Sequence, residues 1–162
     1  MLIQKIRKPE MCLIGISART NNKNEFNPET AQIPLTLQKY FQEQTASQLP
    51  KRKKPGTTYA VYTEYESDAN GDYTYFLGEE VENLEDIPVG LTKLIIPEQS
   101  YTQFTSDPGV MPGICIDLWK KIWTLDPKEL GGERIYTADF EIYDERAQNP
   151  SNTTLDICIA IK

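Results

Sequence analysis

The feature that most restricts how this chain can fold is an order of elements that occurs twice. Residues 10–18, Glu-Met-Cys-Leu-Ile-Gly-Ile-Ser-Ala, have the apolar density and length of a buried strand. From Pro34 to Gln44, Leu37, Tyr40, Phe41 and Gln44 recur at helical spacing, behind a proline suited to a first turn. Residues 57–66 and 72–77 are rich in Tyr, Val and Thr and read as strands, with Asn70-Gly71 favouring a tight reversal between them. The same order then returns. A strand region over 91–106, centred on Tyr101–Thr105, precedes a helix over 114–125 with the apolar stripe Cys115, Leu118, Trp119, Ile122 and Trp123. Residues 134–145 and 153–161 close the chain as two more strands.

The two halves can be laid on each other. Pro9-Glu10 falls on Pro97-Glu98, Leu37 and Phe41 on Trp119 and Trp123, and Tyr73 and Tyr75 on Leu155 and Ile157. The offset is 88 residues before the helices and 82 at them, so the first connecting loop is six residues longer. This order predicts an α+β fold of duplicated βαββ halves, about 1–80 and 90–162, related by pseudo-twofold symmetry within one domain over 1–162. Halves joined in this way leave a groove at their junction, where pockets tend to form.

Composition removes several functional classes. The 162 residues include no histidine, which takes away the commonest general base, the Ser-His and Cys-His pairs and most zinc sites. Cys12, Cys115 and Cys158 are widely spaced in apolar surroundings and read as free thiols of a reducing cytoplasm. A net charge of -7 argues against direct nucleic-acid binding, and the basic run Lys51-Arg52-Lys53-Lys54 between two prolines reads as a solvated turn. No run approaches the ~18 apolar residues of a membrane span, and the first residues lack a signal-peptide pattern. Only about ten residues precede the first expected strand, too few for a preceding DNA-binding domain. No cofactor and no metal site is expected.

The stretch Arg134–Arg146 carries the candidate chemistry. Phe140 and Ile142 alternate with Glu141 and Tyr143, the period-2 pattern of a half-buried strand that puts a carboxylate and a phenol on one face. Beside it stand the runs Tyr59-Ala-Val-Tyr-Thr-Glu-Tyr-Glu-Ser-Asp, Gly71-Asp-Tyr-Thr-Tyr-Phe-Leu-Gly-Glu-Glu, Tyr101-Thr-Gln-Phe-Thr-Ser, Leu118-Trp-Lys-Lys-Ile-Trp and Leu155-Asp-Ile-Cys-Ile-Ala-Ile-Lys. With these, the chain resembles the GyrI-like small-molecule-binding family, also known as AraC-type effector-binding domains. Within it, the likeness is to integron-cassette proteins that bind cationic drugs. The resemblance covers nearly the whole chain. It implies a curved antiparallel sheet, two main helices flanking a groove, and an acid in the Phe-Glu-x-Tyr motif, here Glu141, facing lipophilic cations.

The candidate ligand-binding residues are therefore Glu141, Tyr143, Tyr75, Tyr73, Trp119 and Tyr62, with no catalytic set. A bulky organic cation loses its water cheaply, pairs with a withdrawn carboxylate, and gains roughly 0.5–2 kcal/mol from each aromatic face. Asp144, Glu145 and Arg146 read as an exposed hairpin end. Two alternatives stay open: hydrolysis of a strained electrophile, with Glu141 as general base and Tyr143 or Tyr75 as donor, and a protein-interaction role such as gyrase inhibition. A free-standing sensor, sequestering protein or adaptor, with a regulatory protein partner, fits the first reading.

Overall fold

The computed structural model describes residues 1–162 throughout. Eight strands, β1 (Leu2–Lys8), β2 (Met11–Thr20), β3 (Thr58–Thr63), β4 (Tyr73–Val81), β5 (Thr92–Ile96), β6 (Gln99–Thr105), β7 (Ala138–Tyr143) and β8 (Asp156–Ala160), form one antiparallel sheet. Four helices accompany them: the one-turn α1 (Asn22–Glu25), the principal α2 (Ile33–Gln42) and α3 (Gly113–Trp123), and the one-turn α4 (Pro127–Leu130). This is the α+β architecture that the doubled element order predicts. Across the sheet the order is β1-β6-β8-β7-β3-β4-β2-β5.

The two halves interlock. β1 and β2 are one run broken at Pro9-Glu10, and β5 and β6 are one run broken at Pro97-Glu98. These runs pair in a single register from end to end: Lys8 faces Gln99 on one side of the break, and Met11 faces Ile96 on the other. The break falls at the two prolines, which have no N–H to donate to a ladder. Sequence reading placed no strand before residue 10. The reason is burial: β1 is almost wholly exposed, so its apolar residues do not alternate against a core.

Register then fixes the symmetry. With Pro9 laid on Pro97, Leu13 corresponds to Tyr101; Leu13 faces Glu80 and Tyr101 faces Ala160, so Glu80 corresponds to Ala160. It follows that Gly78 corresponds to Cys158, and through their partners Tyr59 corresponds to Phe140. Tyr62 and Tyr143 are thus equivalent positions, and Ala60 is equivalent to Glu141. Ala60 and Glu141 also face each other directly across β3 and β7, so the pseudo-twofold axis passes through that pair. The same steps place Tyr75 on Leu155 and Leu77 on Ile157, two residues away from the alignment drawn from sequence. Apolar alternation alone leaves such a two-residue slip open, because it keeps every side chain on its face.

Two layers of core follow. Met11, Leu13, Tyr59, Val61, Phe76, Ile96, Tyr101, Ala138, Phe140, Ile142, Cys158 and Ala160 form one buried cluster drawn from strands alone. With no helix contributing, the sheet buries this face by curling on itself. The opposite face is covered by helices: α2 brings Tyr40 onto Ile16, Ala60, Tyr75 and Leu77, and α3 brings Cys115, Leu118, Trp119 and Ile122 onto Phe104, Leu155, Ile157 and Ile159. Glu25 starts α2 by accepting the backbone N–H of Gln32 at 2.8 Å and of Ile33 at 3.0 Å, an anion at a helix N-terminus.

Four sequence expectations change here. Phe41 and Trp123 are 62% and 48% exposed, because the inward stripe of α2 runs through Thr36 and Tyr40, and α3 ends at Trp123. Arg52 is no solvated residue: it makes a two-pronged pair, 2.8 and 3.1 Å, with the buried Glu79. Arg146 ties Asp144 to Asp156, so the end of β7 is braced instead of free. Nor does Asn70-Gly71 make a two-residue hairpin; β3 and β4 are joined by a longer loop closed by a turn at Asp68–Gly71.

The curl requires close backbone approach. Gly15 and Gly78 face each other across β2 and β4, and a Cβ on Gly15 would lie only 2.0 Å from the Leu77 carbonyl oxygen. Backbone cannot swing aside as a side chain can. We expect Gly15→Ala to cost about 3 kcal/mol of stability, read as a lower urea midpoint, whereas Gly113→Ala, with nothing within 4 Å, stays within about 1 kcal/mol.

Candidate functional site

β7 alternates as its sequence requires, with Phe140 and Ile142 in the strand-only core and Asp139, Glu141 and Tyr143 on the face toward the helices. That face is covered on both sides of Glu141. Tyr62 and Tyr143 pack against the α2 cluster and the α3 cluster alike, so the carboxylate sits where the two meet. It is 4% exposed.

Three donors hold it. The Tyr62 hydroxyl donates to Oε2 at 2.7 Å and the Tyr143 hydroxyl to Oε1 at 2.5 Å. These two phenols are the equivalent positions of the two halves, so the repeat supplies a matched clamp around a carboxylate that only one half carries. The Trp119 indole Nε1 adds a third bond to Oε2 at 2.7 Å. Tyr143, its proton committed to Glu141, accepts from the Cys115 thiol at 3.4 Å.

The other candidates form the aromatic wall. Tyr62 is the hub, with ring centroids 5.2 Å from Trp119, 5.4 Å from Tyr75 and 5.6 Å from Tyr73. Tyr75 is buried and Glu141's charge acts on its phenol, but it makes no hydrogen bond to the carboxylate. Tyr73 is turned away, its hydroxyl donating to Asn22 Oδ1 at 3.0 Å. Glu141, Tyr143, Tyr62 and Trp119 therefore form the bonded group, and Tyr75 and Tyr73 stand behind Tyr62.

Sequence reasoning passed over Asp139, Tyr65 and Arg134. Asp139 is fully buried; its Oδ2 accepts from Tyr65 and from Arg134, both at 2.7 Å, and its Oδ1 from the Ala160 N–H at 2.8 Å. Asp139 shares Glu141's face at a spacing of two, and that period was the one available signal. The contrast among buried acids is sharper still. Glu79 pairs with Arg52, Asp139 with Arg134 and Asp156 with Arg146. Glu141 has no cation partner within the chain.

Burial first, and Glu141's charge second, push the phenols of Tyr62, Tyr75 and Tyr143 well above their ordinary 10.0. Burial likewise raises the Cys115 thiol. A group raised in the folded state contributes stability that is complete below its unfolded value and is lost as pH climbs beyond it. Stability should hold up to pH about 9, where the unfolded thiol begins to ionise, and fall more steeply above about 10, as unfolded chains release the phenol protons. An alkaline titration followed by tyrosinate absorbance and circular dichroism should show these three phenols ionising only with unfolding; ionisation in an intact fold would contradict the buried placement.

Comparison with known proteins agrees with this geometry at the level of fold and family. YobU of Bacillus subtilis (strain 168), which carries a provisional transcriptional-regulator name, is 33% identical over 148 residues, covering 91% of this chain and 90% of that one. The integron cassette protein VCH_CASS2, from the mobile metagenome of Vibrio cholerae, superposes with a TM-score of 0.79 at 27% identity, over 99% of this chain and 95% of its own. SAV2435 bound to tetraphenylphosphonium superposes with a TM-score of 0.77 over 100% of this chain and 94% of its own, though at 17% identity the likeness is one of fold. No helix of this chain is long and apolar enough to cross a membrane. The family model of the integron-associated effector binding protein matches residues 6–161. The chain belongs to that family of effector-binding proteins.

Proposed function

We propose that this chain, acting as one unit over 1–162, binds lipophilic cations, with Glu141 as the anionic anchor and Tyr62, Tyr143, Trp119, Tyr75 and Tyr73 as its aromatic wall. One observation carries the reading: of four buried acids, three are neutralised by arginines and Glu141 alone is not. Three uncharged donors satisfy its lone pairs but bring no positive charge, so the site keeps an electrostatic vacancy. Leaving a charge unpaired out of water costs several kcal/mol, and a ligand cation relieves that cost. The tetraphenylphosphonium bound to SAV2435 is a ligand of this kind.

Glu141 is buried beneath the three rings bonded to it, so a cation reaches it by displacing the Trp119 indole or a phenol ring. A weakly hydrated cation gives up little in making that exchange, whereas Na⁺ or an alkylammonium gives up much more. The wall is made of rings that tolerate many contours, so charge and apolar area select the ligand more than shape does. The regulator names of YobU and other relatives fit an effector sensor that reports to a regulatory protein partner.

The decisive comparison is calorimetric titration of the native protein and Glu141→Gln with tetraphenylphosphonium and with uncharged triphenylphosphine oxide. The amide oxygen can keep Tyr62 and Trp119, while its NH2 faces Tyr143, whose hydroxyl can turn to accept. The fold without ligand should therefore hold within about 1 kcal/mol. Binding of the cation should weaken by roughly 1.5–3 kcal/mol and binding of the neutral compound should barely change. Equal losses for both would mean that the substitution altered the shape of the site, and no loss for either would remove Glu141 from it.

A further inference from the structure

A row of rings continues from Glu141 to a second buried carboxylate. Trp119, Tyr62, Tyr73, Tyr65 and Tyr136 follow one another with centroid separations of 5.2, 5.6, 5.9 and 5.4 Å. Glu141 lies at the Trp119–Tyr62 end, and Asp139 at the Tyr65 end. Asp139, like Glu141, is buried with a phenol donor beside aromatic faces, and the Ala160 N–H adds a backbone bond. A cation is already present: the Arg134 guanidinium donates to Asp139 at 2.7 Å and lies 4.4 Å from the Tyr136 ring centroid.

Arg134 is tied by its flanking backbone to the end of the chain, where Ile135 donates to Ala160 and Lys162 to Glu133, but it is held incompletely by its side chain. It sits between α4 and β7, outside any strand, with one isolated bridge to Ile161. Its Nε is buried and has no hydrogen-bond partner. Nearby, Tyr136 has φ of 55°, sparsely populated for a side chain of that size, and the segment begins at Gly131 with φ of 84°. Such a residue resembles an occupant of a site more than a strut of the fold.

We propose that Arg134 is a built-in cation filling a second carboxylate–aromatic subsite, which leaves Glu141 as the one free anion and sets a preference for singly over doubly charged lipophilic cations. Asp139 and Glu141 are two residues apart on one strand face, about 7 Å along it. A dication of matching span meets the guanidinium as a like charge; with Arg134 removed, the same dication meets two carboxylates. The ligand side of this inference rests on the cation-binding reading of Glu141, whereas the subsite itself does not.

The test uses the full chain, Arg134→Met, and the double variant Arg134→Met/Asp139→Asn. Titration with tetraphenylphosphonium and with the dication 1,1′-dimethyl-4,4′-bipyridinium gives the ratio of the two dissociation constants. In Arg134→Met the dication should gain at least about tenfold on the monocation, and the double variant should return to the native ratio. An unchanged ratio in folded Arg134→Met overturns the proposal. A second arm needs no ligand at Glu141 and uses Arg134→Ala, which leaves room for the lost head group: millimolar methylguanidinium should raise its Tm by about 3 °C. It should do so neither for the native protein nor for Arg134→Ala/Asp139→Asn. If Arg134→Ala folds only in methylguanidinium, the subsite stands; if methylguanidinium leaves it unfolded or its Tm unmoved, the subsite is refuted. Failure of the native protein to bind either cation, with that thermal response intact, refutes the reading of Glu141 and not the subsite.

Discussion

Pairing of β3 with β7 is the contact on which the rest of the molecule depends. Each of these strands is the third segment of its own half, and their ladder joins the halves on the side away from the Pro9–Pro97 seam. Because that ladder is centred on Ala60 and Glu141, it places the two equivalent phenols, Tyr62 and Tyr143, on either side of one carboxylate. The helices complete the enclosure: α3 lays Trp119 on the same oxygen that Tyr62 reaches, and α2 closes the other flank with Tyr40 packed on Tyr75 of β4. A shift of the ladder by one residue would turn Glu141 into the strand-only core among Phe140's neighbours, away from the three donors that hold it.

Charge is distributed inside this fold by a consistent rule with one exception. An isolated carboxylate is expensive to bury, and three of the four buried acids meet an arginine brought from a loop or turn: Arg52 before β3, Arg134 before β7 and Arg146 after it. Each pair gives the buried acid a countercharge. Glu141 receives hydrogen bonds only. The hydrogen bonds account for why the native state tolerates it, and the missing countercharge is what the proposed cation would supply.

Most of this was legible in the sequence because it is written in local periods. The helix stripe of α3 and the alternation of Phe140-Glu141-Ile142-Tyr143 each follow from side-chain geometry within one element. What escaped has a common physical character. The exposed β1 has no core to imprint a period on it. Arg52 acquires meaning from Glu79, far along the chain, and Arg134 from Asp139 across an irregular turn, and neither pairing follows a spacing rule. Phe41 lies off the inward face of its helix and Trp123 at the end of its own, so apolar composition alone cannot mark where burial stops. The two-residue slip between Tyr75 and Leu155 shows the limit of alternation: it assigns faces and leaves register to the ladder.

The place of Glu141 on the pseudo-twofold axis has a consequence for how such a site can exist at all. A homodimer of either half would put the same residue at both central positions, because a twofold interface presents each residue to its own copy. Two glutamates there would face each other at about 5 Å and share a proton, and two alanines would carry no charge. A lone carboxylate on a symmetry axis is available only to a chain in which both halves are covalently one molecule and free to differ. Fusion, in this sense, is what lets a symmetric scaffold hold an odd number of charges at its centre.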